Sequence, residues 1–338
     1  MTMQAAASIE RQVTRKATVS LTYLNTRGEH QLFIRNINAP FSNGVRPLGG
    51  TENIYQYDSE GIYRQNQLIA TARISAGNRL SLFGNYTLNY ANSDLGTAGT
   101  PGFLSNQYDP MADYGRSGFD IRHRVFMGGT IAMPYAFRLN PFLIITSGRP
   151  YNITTGTDLN GDSIFNDRPA FVSNTACATK ASQGTIVCTA LGTFNTVPGI
   201  GAALVPINSE TGPTLFTLNL RLSKTFGFGR EIKGGSGSSG GGPGGGHGHG
   251  GPPGGGLGPG GLTGAGRGGM FGMGPATDRR FNLTFTVSAR NLLNRVNLGT
   301  PIGDLSSPLF AQSNSLAGGP YSSSGASRRI DLQVLFSF

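Results

Sequence analysis

Residues 328–338 read RRIDLQVLFSF, and this stretch decides the fold. Side chains alternate between the two faces of a β-strand, so residues two apart point the same way. One face of this stretch is entirely apolar and consists of Ile330, Leu332, Val334, Phe336 and Phe338. The other face carries Asp331, Gln333 and Ser337, with Leu335 as its one apolar member. The spacing therefore predicts a strand with one apolar and one polar face.

Two classes of protein contain a strand of this kind. In a bacterial outer-membrane β-barrel the final strand closes the barrel, and its apolar stripe is the signal that the barrel-insertion machinery reads. In a soluble β-sandwich the same pattern is typical of an edge strand. An aromatic residue at the end of the stripe, Phe338, favours the barrel.

Composition limits the classes that remain. The 338 residues include 53 Gly and 19 Pro, only 13% are charged, and the net charge is +10. This length allows about one to two domains. The basic residues are scattered, and no helical segment concentrates them, so we predict no nucleic-acid partner. A run of 18 apolar residues is absent, which excludes a transmembrane helix.

Alternation of apolar and polar residues recurs along the chain. The cleanest example is RFNLTFTVSAR at residues 280–290. The other predicted strands are residues 5–13 (the weakest), 17–24, 67–75, 79–90, 122–133, 137–147 and 215–226. Together with the last segment they make about nine strands, and no convincing amphipathic helix interrupts them.

The connections between these segments come in two lengths. Residues 14–16, 76–78 and 134–136 are tight turns, whereas residues 25–66, 91–121, 148–214 and 291–327 are long. Short periplasmic turns alternating with long extracellular loops are typical of outer-membrane barrels. The fold class that we predict is all-β: an antiparallel transmembrane β-barrel, represented by a C-terminal partial barrel of about nine strands with long extracellular loops. The first strand would run towards the periplasm, so further strands would precede it.

One connection breaks this alternation. Residues 227–279 lie on the predicted periplasmic side, and 24 of the 41 residues from 234 to 274 are Gly. Such a tract buries too little apolar surface to offset its ordering entropy. We therefore predict a Gly-rich disordered insertion at 227–279.

Two groups of residues suggest chemistry within the long loop 148–214. Asp158, Asn160 and Asp162 in DLNGD place oxygen ligands at alternating positions, as in a Ca²⁺-binding turn. Ser163 and Pro169 stand where an EF-hand loop has Gly and Glu, and the alternative is an Asx-rich turn. Cys177 and Cys188, with ten residues between them, suit a local disulfide in an oxidising compartment, and two free thiols are the alternative.

Catalytic chemistry is not indicated. No Ser or Cys nucleophile stands in a recognisable context with a His base, so we predict a non-enzymatic protein that requires no cofactor. The polar strand faces carry several arginines, which a barrel would direct into its lumen, where they pack or contact an anionic ligand. These arginines are Arg73, Arg122, Arg124, Arg221 and Arg290.

Several motifs together resemble the C-terminal part of TonB-dependent outer-membrane receptors, most closely the Oar-like group. The most specific are SARNLLNRVNLGTP at 288–301 and ASRRIDLQVLFSF at 326–338. The stretches ERQVTRKATVSLTYLNTRGEH, RNINAP, NIYQYDSEG and TGTDLNGDSIFNDRPAF are similar to the same group. The resemblance implies a barrel of about 22 strands with a plugged lumen. It also implies an N-terminal plug that TonB, an inner-membrane partner, energises.

The resemblance assigns residues 1–338 to the C-terminal part of such a barrel, acting in transport of an unknown ligand. Residues 1–16 have no apolar signal segment, so we expect the chain to reach the outer membrane as part of a longer exported protein. Its partners would be outer-membrane lipid, the insertion machinery, and TonB through a missing N-terminal part. The alternatives are a surface structural or adhesive barrel that transports nothing, and a soluble carbohydrate-binding β-sandwich.

Overall fold

The computed structural model describes most of the chain. The described residues are 1–77, 79–94, 102–175, 177, 184–199, 201–231, 277, 279–317 and 326–338. Most of the predicted Gly-rich insertion, residues 232–276 and 278, lies outside these ranges. Within the described part, no helix has both the length and the apolar character needed to cross a membrane.

Long antiparallel strands dominate the structure. They are β1 (Thr2–Thr14), β2 (Ala17–Asn36), β3 (Tyr55–Ala76), β4 (Leu80–Ser93), β6 (His123–Met133), β7 (Phe137–Thr146), β13 (Leu215–Glu231), β14 (Arg279–Arg290) and β15 (Arg329–Ser337). Six short strands lie in the long connections: β5 (Gly115–Arg116), β8 (Pro150–Tyr151), β9 (Ala170–Phe171), β10 (Ile186–Thr189), β11 (Gly192–Asn195) and β12 (Glu210–Thr211). Pro110–Asp113 and Pro134–Ala136 form single 3₁₀ turns.

The long strands form one up-and-down sheet. Its order is β1-β2-β3-β4-β6-β7-β13-β14-β15, and β5 pairs with β4 as a tenth strand. About nine strands in a barrel were predicted, but the sheet has ten, and β1 and β15 lie at opposite edges without closing it. The strand bounds follow the alternation closely wherever one face is apolar, because that pattern fixes the register of each pair.

The first hairpins extend further than their sequences indicate. Residues 25–66 were predicted as one loop, but β2 and β3 pair as far as Asn36 and Tyr55, which shortens the loop to residues 37–54. The extended part contains register shifts near Gln31, and His30 has a φ of 55°. Such bulges disturb the strict period of two, and this segment also lacks a continuous apolar face. Alternation alone therefore could not reveal it.

The Gly-rich insertion is shorter than predicted at both ends. Gly227 to Glu231 continue β13, with a register shift between Phe228 and Glu231 where Gly229 adopts a φ of 88°. Arg279 already belongs to β14 and pairs with Glu231. Strand pairing thus provides hydrogen bonds for glycines that the composition assigned to the insertion.

Candidate functional site

The long connections gather at one end of the sheet and pack together. The tight turns at residues 15–16, at residues 77 and 79, and at residues 134–136 occupy the opposite end. We call the described parts of the long connections, residues 37–54, 102–122, 147–214 and 291–317, the loop cluster. Two small sheets, β10-β11-β9 and β12-β8, lie within it.

The loop cluster has an apolar core of its own. Ile153, Phe194 and Val205 are fully buried and pack with Leu305 of the last connection. Val187, Leu191 and Phe310 surround this group. Burial of side chains of this size contributes about 1.5–3 kcal/mol each. The third and fourth long connections therefore form one packed unit.

A buried polar triad joins the end of β2 to the second and third long connections. The backbone N–H of Asn36 donates to Oε1 of Gln107 at 2.8 Å, and Nε2 of Gln107 donates to Oδ2 of Asp162 at 2.8 Å. Nδ2 of Asn36 donates to the carbonyl oxygen of Asp162 at 3.3 Å. All three residues are at most 2% exposed, so each contact excludes water. Hydrogen bonds shielded in this way fix one arrangement of the loops.

A buried ion pair also links two of the long connections. The guanidinium of Arg168 lies 2.9 Å from Oδ1 of Asp113, and both side chains are about 5% exposed. The backbone N–H and the hydroxyl of Ser105 also donate to this carboxylate. Arg168 reaches the carbonyl oxygen of Val205 at 3.0 Å as well. The second and third connections are thereby held through charges that are each compensated.

The DLNGD turn is closed by its own backbone. Oδ1 of Asp158 accepts from the N–H groups of Gly161 and Asp162, and its Oδ2 accepts from Ser163. Oδ1 of Asn160 accepts from the N–H of Asp162. These contacts are those of the alternative interpretation, an Asx-rich turn. Among the described residues, no group of three or more His, Cys, Asp or Glu could hold a metal ion, and Ca²⁺ binding stays a prediction.

Acidic pH is expected to stabilise this turn. Burial, with smaller contributions from the charges of Asp162 and Asp158, raises the pKa of Asp167 to about 6. The unfolded carboxyl titrates near 3.9, so the stabilisation is complete below about pH 4 and is lost as pH rises through 6. Hydrogen exchange, corrected for intrinsic rates, should show stronger protection of the turn at pH 5 than at pH 7.

Asp167→Asn is the variant that tests this assignment. Its amide oxygen can still accept from the N–H of Leu159, which Oδ2 of Asp167 does at 2.8 Å. The pH dependence should become much shallower, with the remaining slope coming from Asp162, whose pKa burial also raises. An unchanged slope in the variant would show that another group causes it.

The structure joins Cys177 and Cys188 in a disulfide with a Cα–Cα distance of 6.0 Å. It ties Cys177 to β10, which pairs with β11, where the ring of Phe194 is buried. Closing a loop of this length stabilises the folded state by about 2–3 kcal/mol. Reduction should therefore increase hydrogen exchange over Ile186–Thr189 and leave β14 unaffected. Equal exchange with and without reductant would show that the apolar core alone holds this hairpin.

A cavity of about 470 Å³ lies between the second, third and fourth long connections. Its size falls in the range of small-ligand sites. Its wall combines charged, amide and apolar side chains, among them Asp94, Phe103, Arg149, Asn166 and Asn208. The spacing of residues in sequence gave no indication of this cavity, because its wall comes from segments up to about 200 residues apart.

On the main sheet the apolar face is exposed and the polar face is buried, which is the reverse of a water-soluble protein. On β14 the apolar residues Phe285 and Val287 are both 43% exposed, whereas Thr284 and Thr286 on the other face are 7% and 4% exposed. On β15 the apolar residues Leu332 and Val334 are 78% and 61% exposed. An apolar outer face and a polar inner face are the arrangement of transmembrane β-barrels.

Aromatic side chains border the apolar outer face. At its tight-turn end, Phe281 lies 5.6 Å from Phe228 and 6.0 Å from Phe336 between ring centroids, and Phe336 lies 6.0 Å from Phe338. Towards the loop cluster, the hydroxyl of Tyr23 donates to Asn66. Rows of aromatic residues mark the two interfaces of a membrane barrel.

The height of the apolar band can be estimated on β4. Ten residues separate Leu80, at the tight turn, from Tyr90, whose ring lies 3.8 Å beneath the Arg122 guanidinium. A strand of that length rises about 33 Å, or about 25 Å when it is tilted by some 40°. This is the height of the lipid-facing band of an outer-membrane barrel.

Residues 1–233 match the family model of the outer membrane beta barrel domain. The chain belongs to this family. The barrel domain matches no curated protein sequence. Among solved structures it is similar to the outer membrane transporter YddB from Escherichia coli, with a TM-score of 0.47 and 10% identity. That alignment covers 99% of this chain and 32% of the transporter, so the chain spans about a third of its length.

The family match and the exposure of the two sheet faces together exclude a soluble β-sandwich and show in which membrane the barrel domain lies. The soluble β-sandwich is wrong, because it would bury the apolar residues that this barrel domain exposes on its outer face. The barrel domain lies in the outer membrane. The long connections and the tight turns lie at opposite ends of the sheet, which is the arrangement of loops and turns in barrels of this class.

The inner face differs in part from the prediction. Arg73, Arg124 and Arg221 occupy inner positions by their register, and Arg290 pairs with Asp331 at 3.1 Å. Arg122 was also assigned to the lumen, but it precedes β6, where strand alternation no longer applies, and its guanidinium lies over the outer Tyr90 ring and contacts Asp120. The sequence prediction missed an inner aromatic group, Phe83, Phe126 and Phe142, with centroids 5.1–5.5 Å apart. The one signal in the sequence is that Phe83 interrupts an otherwise polar strand face of Ser81, Asn85, Thr87 and Asn89.

Proposed function

We propose that this chain is the C-terminal barrel segment of a TonB-dependent, Oar-like outer-membrane receptor that transports a solute. The observation that carries the proposal is the packed loop cluster with a cavity of about 470 Å³ at the extracellular end. An ordered cavity among extracellular loops suits ligand capture, because a preformed site loses less entropy on binding. The resemblance of residues 288–301 and 326–338 to this receptor group supports the same assignment.

In this proposal the chain contributes capture and the transmembrane wall. TonB would act through an N-terminal plug outside these 338 residues, whose rearrangement opens the lumen. The outward apolar stripe of β15 would contact lipid after the insertion machinery has read it. The role requires no catalytic residue and no cofactor.

Comparing what cells remove from their medium tests transport before any ligand is known. The gene is deleted in one strain and TonB is depleted in another, and the spent media are compared by mass spectrometry. We expect at least one solute to remain in both media but not in that of the parent strain. The matched control is deletion of the gene complemented by the intact copy.

A surface structural or adhesive barrel is the competing function. It predicts that the spent media of the deletion and parent strains are identical. It also predicts that TonB depletion does not reproduce any effect of the deletion. Either result would contradict the transport proposal.

A further inference from the structure

The extracellular cavity contains two charged groups of opposite sign, and neither has an ion-pair partner in the described part of the chain. Asp94 is 3% exposed, and its Oδ1 accepts from the N–H of Ile62 at 2.7 Å. Among the described residues, no Lys, Arg or His side chain forms an ion pair with Asp94. Arg149 lines the same cavity, is exposed, and has no acidic partner within those residues. By contrast, Asp113 in the same wall is paired with Arg168 at 2.9 Å.

Burial of an unpaired carboxylate is costly unless something compensates it. Burial is also the main cause that raises the pKa of Asp94, and the charge of Asp113 raises it further. A ligand cation beside Asp94 would offset both effects. The cavity therefore favours a ligand that brings a positive group to this side of the wall.

An unpartnered acceptor lies in the same wall. Nδ2 of Asn166 donates to the carbonyl oxygen of Phe103 at 3.1 Å, but its Oδ1 is buried with no hydrogen-bond partner. A buried acceptor without a donor is destabilising. An N–H group of a bound ligand would satisfy it, and the ring of Phe103 provides apolar surface beside it.

We propose that this cavity binds short peptides through both charged termini, with Asp94 receiving the ammonium group and Arg149 the carboxylate. A peptide also supplies the amide N–H that Asn166 lacks, and a volume of about 470 Å³ suits only a few residues. A neutral saccharide would supply no counter-ion to either side chain. The inference names the solute class of the proposed receptor and in that sense rests on the proposed function.

Calorimetry on the full chain, purified from outer membranes in detergent, tests the site with trialanine. We expect trialanine to bind at least tenfold more tightly than its N-acetylated form and its C-terminal amide. Tenfold corresponds to about 1.4 kcal/mol. Maltotriose should show no binding. Equal affinity for trialanine and its doubly capped form, or tighter binding of maltotriose, would overturn the proposal.

Two variants assign each terminus to its residue. Asp94→Asn can still accept from Ile62, so the fold is retained, and it should abolish the discrimination against the N-acetylated peptide. Arg149→Gln should abolish discrimination against the amide. The matched control is Arg328→Gln, because Arg328 is exposed and lies outside the cavity wall. This variant should leave unchanged the preference for trialanine over its N-acetylated form and over its C-terminal amide. Discrimination that persists in both cavity variants would contradict the assignment.

The outcomes separate this site from the transport proposal. Peptide binding without TonB-dependent depletion of any solute would keep the site and remove the transporter. TonB-dependent depletion of a non-peptide solute, with no trialanine binding, would support the transporter and contradict the peptide site.

Discussion

Replacing Arg168 with Met is expected to destabilise the loop cluster by about 3–5 kcal/mol, because it leaves the buried carboxylate of Asp113 without a counter-ion. The two side chains are about 5% exposed and 2.9 Å apart, so water cannot take the place of the guanidinium. The same change removes the hydrogen bond to the carbonyl oxygen of Val205, which belongs to the apolar core. Hydrogen exchange of the second and third connections should rise together, since Arg168 connects them.

Arg35→Met is the matched control for this change. Arg35 also forms ion pairs, at 3.1 Å with Asp58 and 3.4 Å with Glu60, but its side chain is 24% exposed. Solvent screens such pairs, and their loss costs about 0–1 kcal/mol. If the two variants changed loop exchange equally, burial of the Arg168 pair would not be the source of its effect.

Leu332→Arg is expected to destabilise the inserted barrel by about 2–4 kcal/mol. Leu332 is on the apolar face of β15, six residues before Phe338, which places it about 15 Å above the periplasmic interface and near the bilayer midplane. An arginine there must face hydrocarbon. Urea unfolding in lipid vesicles would measure the loss.

Gln333→Arg, one residue further along the same strand, is the control. Gln333 pairs with Thr286 of β14, whose side chain lies on the buried inner face, so the new guanidinium would enter the polar lumen. We expect a change within about 0.5 kcal/mol. Two variants of equal stability would contradict the lipid-facing assignment of Leu332, because an exposed residue of a water-soluble strand tolerates both.

The sheet was predictable from the sequence where strands have one apolar face. Residues 280–290 were predicted as a strand, and the structure has Arg279–Arg290, because each apolar side chain there faces the same side. The extension of β2 to Asn36 was not predictable in this way, since register shifts near Gln31 interrupt the alternation and its apolar residues, Leu32 to Ile34, are consecutive rather than alternating.

The candidate site was only partly predictable. The DLNGD turn and the cysteine pair are local features, and the sequence indicated both. The contacts that organise the loop cluster are not local: Asn36 and Asp162 are 126 residues apart in sequence. No periodicity reports which of many polar loop residues become buried partners, and the unpaired state of Asp94 and Arg149 follows only from the packing around them.

Tryptophan fluorescence in bilayers that contain brominated lipid tests the membrane orientation of the sheet most directly. The chain has no Trp, so each introduced residue reports without background. Single tryptophans at Phe285 and Val287, on the exposed face of β14, should be strongly quenched by the lipid bromines. Tryptophans at Thr286 and Ser288, on the opposite face, should be quenched weakly. Equal quenching at all four positions, or stronger quenching at Thr286 and Ser288, would contradict a barrel wall with its apolar face towards lipid.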